Sequence, residues 1–159
     1  MSGTADSLMR FTTEDQLIIA ARAGLGALFG MVIGLERQLA HKIVGLRTHM
    51  LVAGAAALAT GMGELLFIDS GDAGDPSRIL HAVITGIGFI GAGAIFRSES
   101  RTKGLTTAAT LFIAAILGAI AGLGAPVLAG VATVMAVISL RVLLKFEGMA
   151  VLNGSASED

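Results

Sequence analysis

The feature that most constrains the fold is a stretch of 37 residues, from Gly104 to Leu140, that contains no charged side chain. A helix needs about 20 apolar residues to cross the roughly 30 Å hydrocarbon core of a bilayer, so this stretch is too long for one crossing. Gly122, Gly124 and Pro126 lie near its middle, and proline cannot donate its backbone amide inside a helix. The stretch therefore predicts two membrane spans, which are Leu105–Leu123 and Val127–Phe146.

Three more apolar segments precede this stretch, and they predict spans at Leu17–Leu35, Thr48–Ile68 and Arg78–Phe96. The first is expected to be retained, because it lacks the small-residue cleavage site of a signal peptide. Only 14% of the residues are charged, against about 25% in soluble domains. We predict an all-α integral membrane protein with five transmembrane helices, with a polar tail at 1–16, a membrane domain at 17–146 and a short polar tail at 147–159.

The basic residues predict how the protein is oriented, because Lys and Arg in short connections stay on the cytoplasmic side. Eight of them lie in the first connection, the third connection and the C-terminal end: Arg37, Lys42, Arg47, Arg97, Arg101, Lys103, Arg141 and Lys145. The opposite side has only Arg10 and Arg78. We therefore expect the N-terminus outside and the C-terminus in the cytoplasm.

Small residues recur every four positions in two of the spans. Gly26, Gly30 and Gly34 follow Arg22 in the first span, and Ala114, Gly118 and Gly122 form a similar row in the fourth. Rows of this kind let two helix backbones approach closely in lipid. We predict that both rows are packing surfaces, and a regulatory role predicts that they face another subunit or protein.

The third span contains GIGFIGAG, with Gly86, Gly88, Gly91 and Gly93. The dinucleotide-binding reading of this pattern requires a preceding strand and is rejected for an apolar span. Helical phasing places Gly86 and Gly93 on one face and the other two glycines opposite, so the span could be wedged between two neighbours. A locally unwound helix whose carbonyl groups bind an ion is the sharper alternative.

Ionisable side chains at membrane depth are functional candidates, because an unpaired charge there is unfavourable. Arg22 and Glu64 lie near the outer ends of their spans and are expected to pair or to reach the interface. His81 lies one turn into the third span and is expected to be solvated. Glu36 lies beside Arg37 and within reach of Arg47, which predicts either a structural ion-pair cluster or a ligand site.

Three carboxylates, Asp69, Asp72 and Asp75, lie in the second connection. One or two carboxylates with bound water suffice for a weak Mg²⁺ site, although Asp75 before Pro76 is better interpreted as a helix cap. The chain has no Cys, which excludes thiolate metal sites. No catalytic motif is present, so we expect neither an enzyme nor a cofactor, and no nucleic-acid partner.

Four separated blocks resemble the MgtC/SapB family of bacterial inner-membrane proteins. They are GLERQLAHKIVGLRTHMLV (34–52), DPSRI (75–79), GIGFIGAGAIF (86–96) and KGLTTAATLF (103–112). By this resemblance, the family motifs fall on Glu36, Arg37, Lys42, Gly45, Leu46, Arg47, Thr48, Arg78, Gly86, Gly88, Gly91, Gly93, Gly104, Leu105, Thr107 and Ala108.

The resemblance implies a role in magnesium homeostasis, in growth at low magnesium and in survival of pathogens inside macrophages. It also implies a membrane partner such as ATP synthase, and a homodimer is compatible with the glycine rows. Many members carry an ACT-like regulatory domain after the fifth span, which this sequence does not include. Three hypotheses remain open: a regulator that does not transport, a transporter or channel for Mg²⁺ or another cation, and a structural membrane module.

Overall fold

The computed structural model describes residues 12–69, 77–98 and 101–154, and the described residues form five helices and one short β-hairpin. The elements are α1 (Thr13–Leu39), α2 (Leu46–Asp69), α3 (Ser77–Ala94), β1 (Phe96–Ser98), β2 (Arg101–Lys103), α4 (Leu105–Gly122) and α5 (Pro126–Gly154). The prediction of an all-helical architecture is confirmed. The antiparallel hairpin, in which Phe96 pairs with Lys103, was not predicted because three-residue strands leave no periodic signal.

Within the described residues, four helices are long and apolar enough to cross a membrane. They are α1, the part of α2 from Leu46 to Leu66, α3 and α4. The apolar helix assigned within α5, Pro126–Val142, is shorter. Large apolar side chains cover the outside of the bundle, including Phe89 at 83% exposed and Val127 at 80%, as expected of a surface that faces lipid. The orientation of the termini stays a prediction.

The first helix starts inside the segment predicted as a polar tail, because residues 12–15 form a capping box. The Thr12 hydroxyl accepts a hydrogen bond from the Asp15 backbone amide at 3.2 Å, and the Asp15 carboxylate accepts one from the Thr12 amide at 3.1 Å. This reciprocal pair satisfies two amides that lack helical partners. Helix α1 therefore begins before its apolar part.

The glycine row of α1 packs against α2, which confirms the predicted packing surface. A Cβ atom on Gly26 would lie 2.8 Å from the Cβ of Ala57, and one on Gly34 would lie 2.7 Å from the Cα of Leu46. A Cβ on Gly30 would overlap the carbonyl oxygen of His49. The two backbones are in contact along this row, so no side chain fits between them.

The row on α4 packs against the other side of the same helix. A Cβ atom on Gly118 would overlap the carbonyl oxygen of Ala53, and one on Gly122 would overlap that of Ala57. Ala114 is fully buried. Both rows are therefore used inside one chain, and the expectation that they face another subunit or protein is wrong.

Helix α3 lies at the periphery. It is continuous from Ser77 to Ala94, so the interpretation as an unwound ion-binding helix is wrong. A Cβ atom on Gly91 would lie 3.7 Å from the Cβ of Ala108 on α4. Cβ atoms on the other glycines of the motif would meet nothing within 4 Å; these are Gly86, Gly88 and Gly93. The helix is therefore packed through one glycine face only and is not wedged between two neighbours.

Candidate functional site

A buried ion pair lies at the C-terminal end of α1. The Nε of Arg37 donates to the Oε2 of Glu36, and the two residues are 1% and 5% exposed. Charged groups are buried only when they are paired and hydrogen-bonded, because desolvation is otherwise too unfavourable. The predicted cluster is confirmed for this pair.

The third member of the predicted cluster is absent from it. Arg47 is exposed, and no ion pair joins it to Glu36 in the described part of the chain. The reason is local. Helix α1 continues past the predicted span end at Leu35, which turns Arg37 into the bundle, whereas Arg47 lies on the outer surface of the first turn of α2. Arg37 alone pairs with Glu36, whereas the sequence predicted a cluster that also included Arg47.

The guanidinium of Arg37 retains unused donor capacity. Its Nη2 is buried and has no hydrogen-bond partner among the described residues. A guanidinium carries five N–H donors, and a buried donor is normally satisfied by protein or by ordered water. The Arg37 Nη2 can therefore donate to a further acceptor beside the ion pair.

His49 forms a second buried polar contact near this end of the bundle. It is fully buried, and its Nδ1 lies 2.8 Å from the Gly45 carbonyl oxygen while its Nε2 lies 3.1 Å from the Thr110 hydroxyl. The contact joins α2 to α4. Sequence reasoning missed both residues, although a histidine inside an apolar span is itself a signal, because such residues are rare and usually paired.

Arg22 and Glu64 form a third polar contact at the opposite end of the bundle, as predicted. Arg22 Nη1 donates to Glu64 and also to the Gly122 carbonyl oxygen at 3.0 Å. The two side chains are 29% and 36% exposed. The contact joins α1, α2 and α4, but both side chains are partly exposed, so it contributes less to stability than a fully buried pair.

A polar cavity of about 420 Å³ opens beside the first connection. It brings together Lys42 and Thr107, which were predicted as candidates from separate motifs. Its lining consists of His41, Lys42, Ile43, Thr102, Lys103, Gly104, Leu105, Thr106 and Thr107. The connection turns sharply here, with a φ of 52° at His41, in the left-handed region that few side chains adopt.

The remaining candidates are not gathered into one site. Thr48 and Arg78 are exposed, and Arg78 lies at the start of α3, at the other end of the bundle from Lys42. Within the described ranges, no three His, Asp or Glu side chains come close enough to hold a metal ion. The predicted weak Mg²⁺ site falls outside the described residues, because Asp72 and Asp75 and the side chain of Asp69 lie there.

Comparison with known sequences identifies the family of this bundle. The sequence model of the MgtC family matches residues 23–149. The chain belongs to the MgtC family. The match covers α2, α3 and α4 in full, most of α1 and α5, and the motif blocks, so the resemblance seen in the sequence is confirmed.

Individual relatives agree with this assignment. "Protein MgtC" of Brucella abortus is 43% identical over 118 residues, which is 74% of this chain and 48% of the relative. "Putative magnesium transporter YhiD" of Escherichia coli is 41% identical over 132 residues, 80% of this chain and 58% of the relative. "Protein MgtC" of Salmonella typhimurium is 43% identical over 97 residues, which is 61% of this chain and 40% of the relative. The chain spans about half the length of these relatives, and no solved structure matches it significantly.

Proposed function

We propose that this chain is a non-enzymatic, magnesium-linked regulator of the bacterial inner membrane, which crosses the bilayer five times and acts through a membrane partner. The magnesium link rests on family membership and on the name of the Escherichia coli relative. The regulatory role rests on the interior of the bundle. The N-terminus lies outside and the C-terminus in the cytoplasm.

The observation that supports a regulatory role is that the carboxylates at membrane depth are paired with arginines. In the described part of the spans these are Glu36 and Glu64, and each is neutralised by an arginine. A Mg²⁺ path needs oxygen ligands, usually one or two carboxylates with retained water. Between the two ion pairs, glycine rows bring α1, α2 and α4 into backbone contact. Such an interior supports a protein that binds partners over one that conducts a cation.

The second candidate is a Mg²⁺ transporter, which the name of the Escherichia coli relative favours. In this chain it requires Glu36 to leave Arg37 and to face a hydrated path. The guanidinium of Arg37, whose Nη2 already has no partner among the described residues, would then donate to water.

Reconstitution into proteoliposomes separates the two candidates. The purified chain is reconstituted into vesicles loaded with a Mg²⁺-sensitive dye. Their Mg²⁺ influx is expected to equal that of dye-loaded vesicles without protein, with or without a membrane potential. A saturable influx that Glu36→Gln abolishes while the protein stays folded would establish transport and refute the regulator.

The partner surface gives the second test. A Cβ on Gly88 meets nothing within 4 Å, and the neighbouring Phe89 is 83% exposed. We expect Gly88→Leu to leave the thermal midpoint in detergent within a few degrees of wild type, because the chain itself is not crowded. The same variant is expected to lose complementation of growth at low magnesium, because the added side chain blocks the approach of a partner helix.

Gly24→Leu is the matched control, because Gly24 of α1 also has open space around it. It is expected to keep full complementation. Equal growth of the two variants would show that the α3 face is not the partner surface.

A further inference from the structure

The polar cavity beside the first connection is built from groups that attract anions. Lys42 and Lys103 face it from two different connections, and His41 adds a third nitrogen base. Among the described residues, no acidic side chain lines it. The described carboxylates lie elsewhere: Glu36 and Glu64 are paired with arginines, and Glu14 and Asp15 are in the first turn of α1 at the opposite end of that helix.

Helix α4 starts at this cavity with its first amides uncapped. Its N-cap is Gly104, with a φ of 90° and no side-chain cap. The first helical bond is donated by Ala108 to the Gly104 carbonyl oxygen at 2.8 Å, so the amides of Leu105, Thr106 and Thr107 have no helical acceptor. Uncapped amides and the helix dipole together favour a bound anion.

Thr107 supplies an independent sign of a ligand. It lines the cavity and is only 9% exposed. Its hydroxyl has no hydrogen-bond partner among the described residues, in contrast to Thr110, whose hydroxyl donates to the Thr107 carbonyl oxygen. The Thr107 hydroxyl oxygen is not one of the fully buried atoms that lack a partner, so it keeps access to the cavity that Thr107 lines together with Lys42, Lys103 and the first residues of α4.

Apolar side chains form one wall of the cavity. Ile43 is 81% exposed and Leu105 is 59% exposed, and both belong to the lining. Ile43 lies in the connection between α1 and α2, and Leu105 is the first residue of α4. A free inorganic anion gains nothing from such a wall, whereas a phospholipid can place its acyl chains against it.

We propose that this cavity binds a phosphoryl group, and that the source is the headgroup of an anionic phospholipid. Lys42 and Lys103 neutralise the charge, and the first amides of α4 and the Thr107 hydroxyl donate to the phosphoryl oxygens. Ile43 and Leu105 contact the first carbons of the acyl chains. The site is separate from the Glu36–Arg37 pair and does not depend on whether the chain regulates or transports.

Native mass spectrometry of the full chain tests this proposal. The detergent-solubilised protein is equilibrated with equal amounts of phosphatidylglycerol and phosphatidylcholine that have the same acyl chains, and the retained lipids are counted. The wild type is expected to retain mostly phosphatidylglycerol. The Lys42→Gln/Lys103→Gln variant is expected to reduce that preference about tenfold for each lysine, as for the loss of two charge-assisted hydrogen bonds.

Arg47→Gln is the matched control, because Arg47 is exposed at the same end of the bundle and does not line the cavity. It removes one positive charge from this end, where the double variant removes two, and it is expected to keep the preference. Thr107→Val gives a readout that a structural role would not give. It is expected to keep the thermal midpoint without lipid, because no hydrogen bond is lost, but to lose most of the stabilisation by phosphatidylglycerol.

The thermal midpoint in inorganic phosphate, compared with that in chloride at equal ionic strength, distinguishes a lipid headgroup from a soluble phosphoryl ligand. Stabilisation by the lipid alone supports a headgroup site. Stabilisation of the wild type, but not of the double-lysine variant, by millimolar phosphate supports the same site with a soluble phosphoryl ligand. Equal retention of the two lipids by the wild type, or an equal loss of preference in Arg47→Gln, would overturn the proposal.

Discussion

Gly118→Ala is expected to lower the free energy of unfolding by about 3 kcal/mol or more, which is the upper range for overpacking a well-packed interior. The added Cβ would overlap the carbonyl oxygen of Ala53 and lie 2.7 Å from its carbonyl carbon. These are backbone atoms of α2, so no side-chain rotation relieves the overlap and the helices must separate. Thermal unfolding in detergent, followed by circular dichroism, measures the loss.

Gly88→Ala and Gly24→Ala are the controls for this experiment, because a Cβ at either position meets nothing within 4 Å. Alanine is favoured over glycine inside a helix by about 1 kcal/mol. Both controls are therefore expected to be as stable as the wild type or slightly more stable. A thermal midpoint for Gly118→Ala equal to that of the controls would show that α2 and α4 are not in backbone contact.

Glu36→Gln is the second change with a large expected effect. Arg37 is only 1% exposed, and the substitution leaves its buried charge without a carboxylate. Removing one partner of a buried ion pair lowers the free energy of unfolding by about 3–5 kcal/mol. Glu64→Gln is the matched comparison. Its pair with Arg22 is about a third exposed, so the expected loss is only about 0–1 kcal/mol. Unfolding measurements on the two variants under the same conditions give the difference directly.

A double variant distinguishes a missing charge partner from a missing shape. Glu36→Gln/Arg37→Met removes both charges and keeps most of the volume, and such replacements are often neutral. It is expected to recover most of the stability lost in Glu36→Gln. If Glu36→Gln is as stable as Glu64→Gln, water reaches the pair, and the interior would then be open enough to support the transport alternative.

The sequence contained enough information to predict the helices and the two glycine rows. Uncharged length, the break near Pro126 and the four-residue spacing each have a direct physical meaning in lipid. What the spacing could not tell is which surface meets each row. Close packing needs small residues whether the neighbouring helix belongs to the same chain or to a partner, so Gly30 and Gly118 were compatible with either. Nothing in the sequence distinguished the exposed glycine Gly88 from the packed ones.

The polar site was predicted in part, and the errors follow from where helices end. An apolar span was taken to end at Leu35, but α1 continues to Leu39 and carries Arg37 into the bundle. His49 already lay inside the predicted span at Thr48–Ile68, and what the span limits could not show is that its side chain is buried against Thr110 of α4. Span limits drawn from hydropathy stop where polarity begins, whereas helices continue until a cap or a turn. Charged residues just beyond a span are therefore easily assigned to a loop.

The meeting of three helices at Ala53 has a consequence for the order of assembly. A Cβ on Gly26 would lie 3.2 Å from the Ala53 carbonyl oxygen and 3.3 Å from the Cα of Gly118, so α1, α2 and α4 converge at this level. During synthesis α1 and α2 leave the ribosome first and can pair at once through their own glycine row. Helix α3 leaves next but belongs outside this triple contact. Helix α3 must leave the surface of α2 free until α4 packs against it. The helices therefore pack in a different order from that in which they are synthesised.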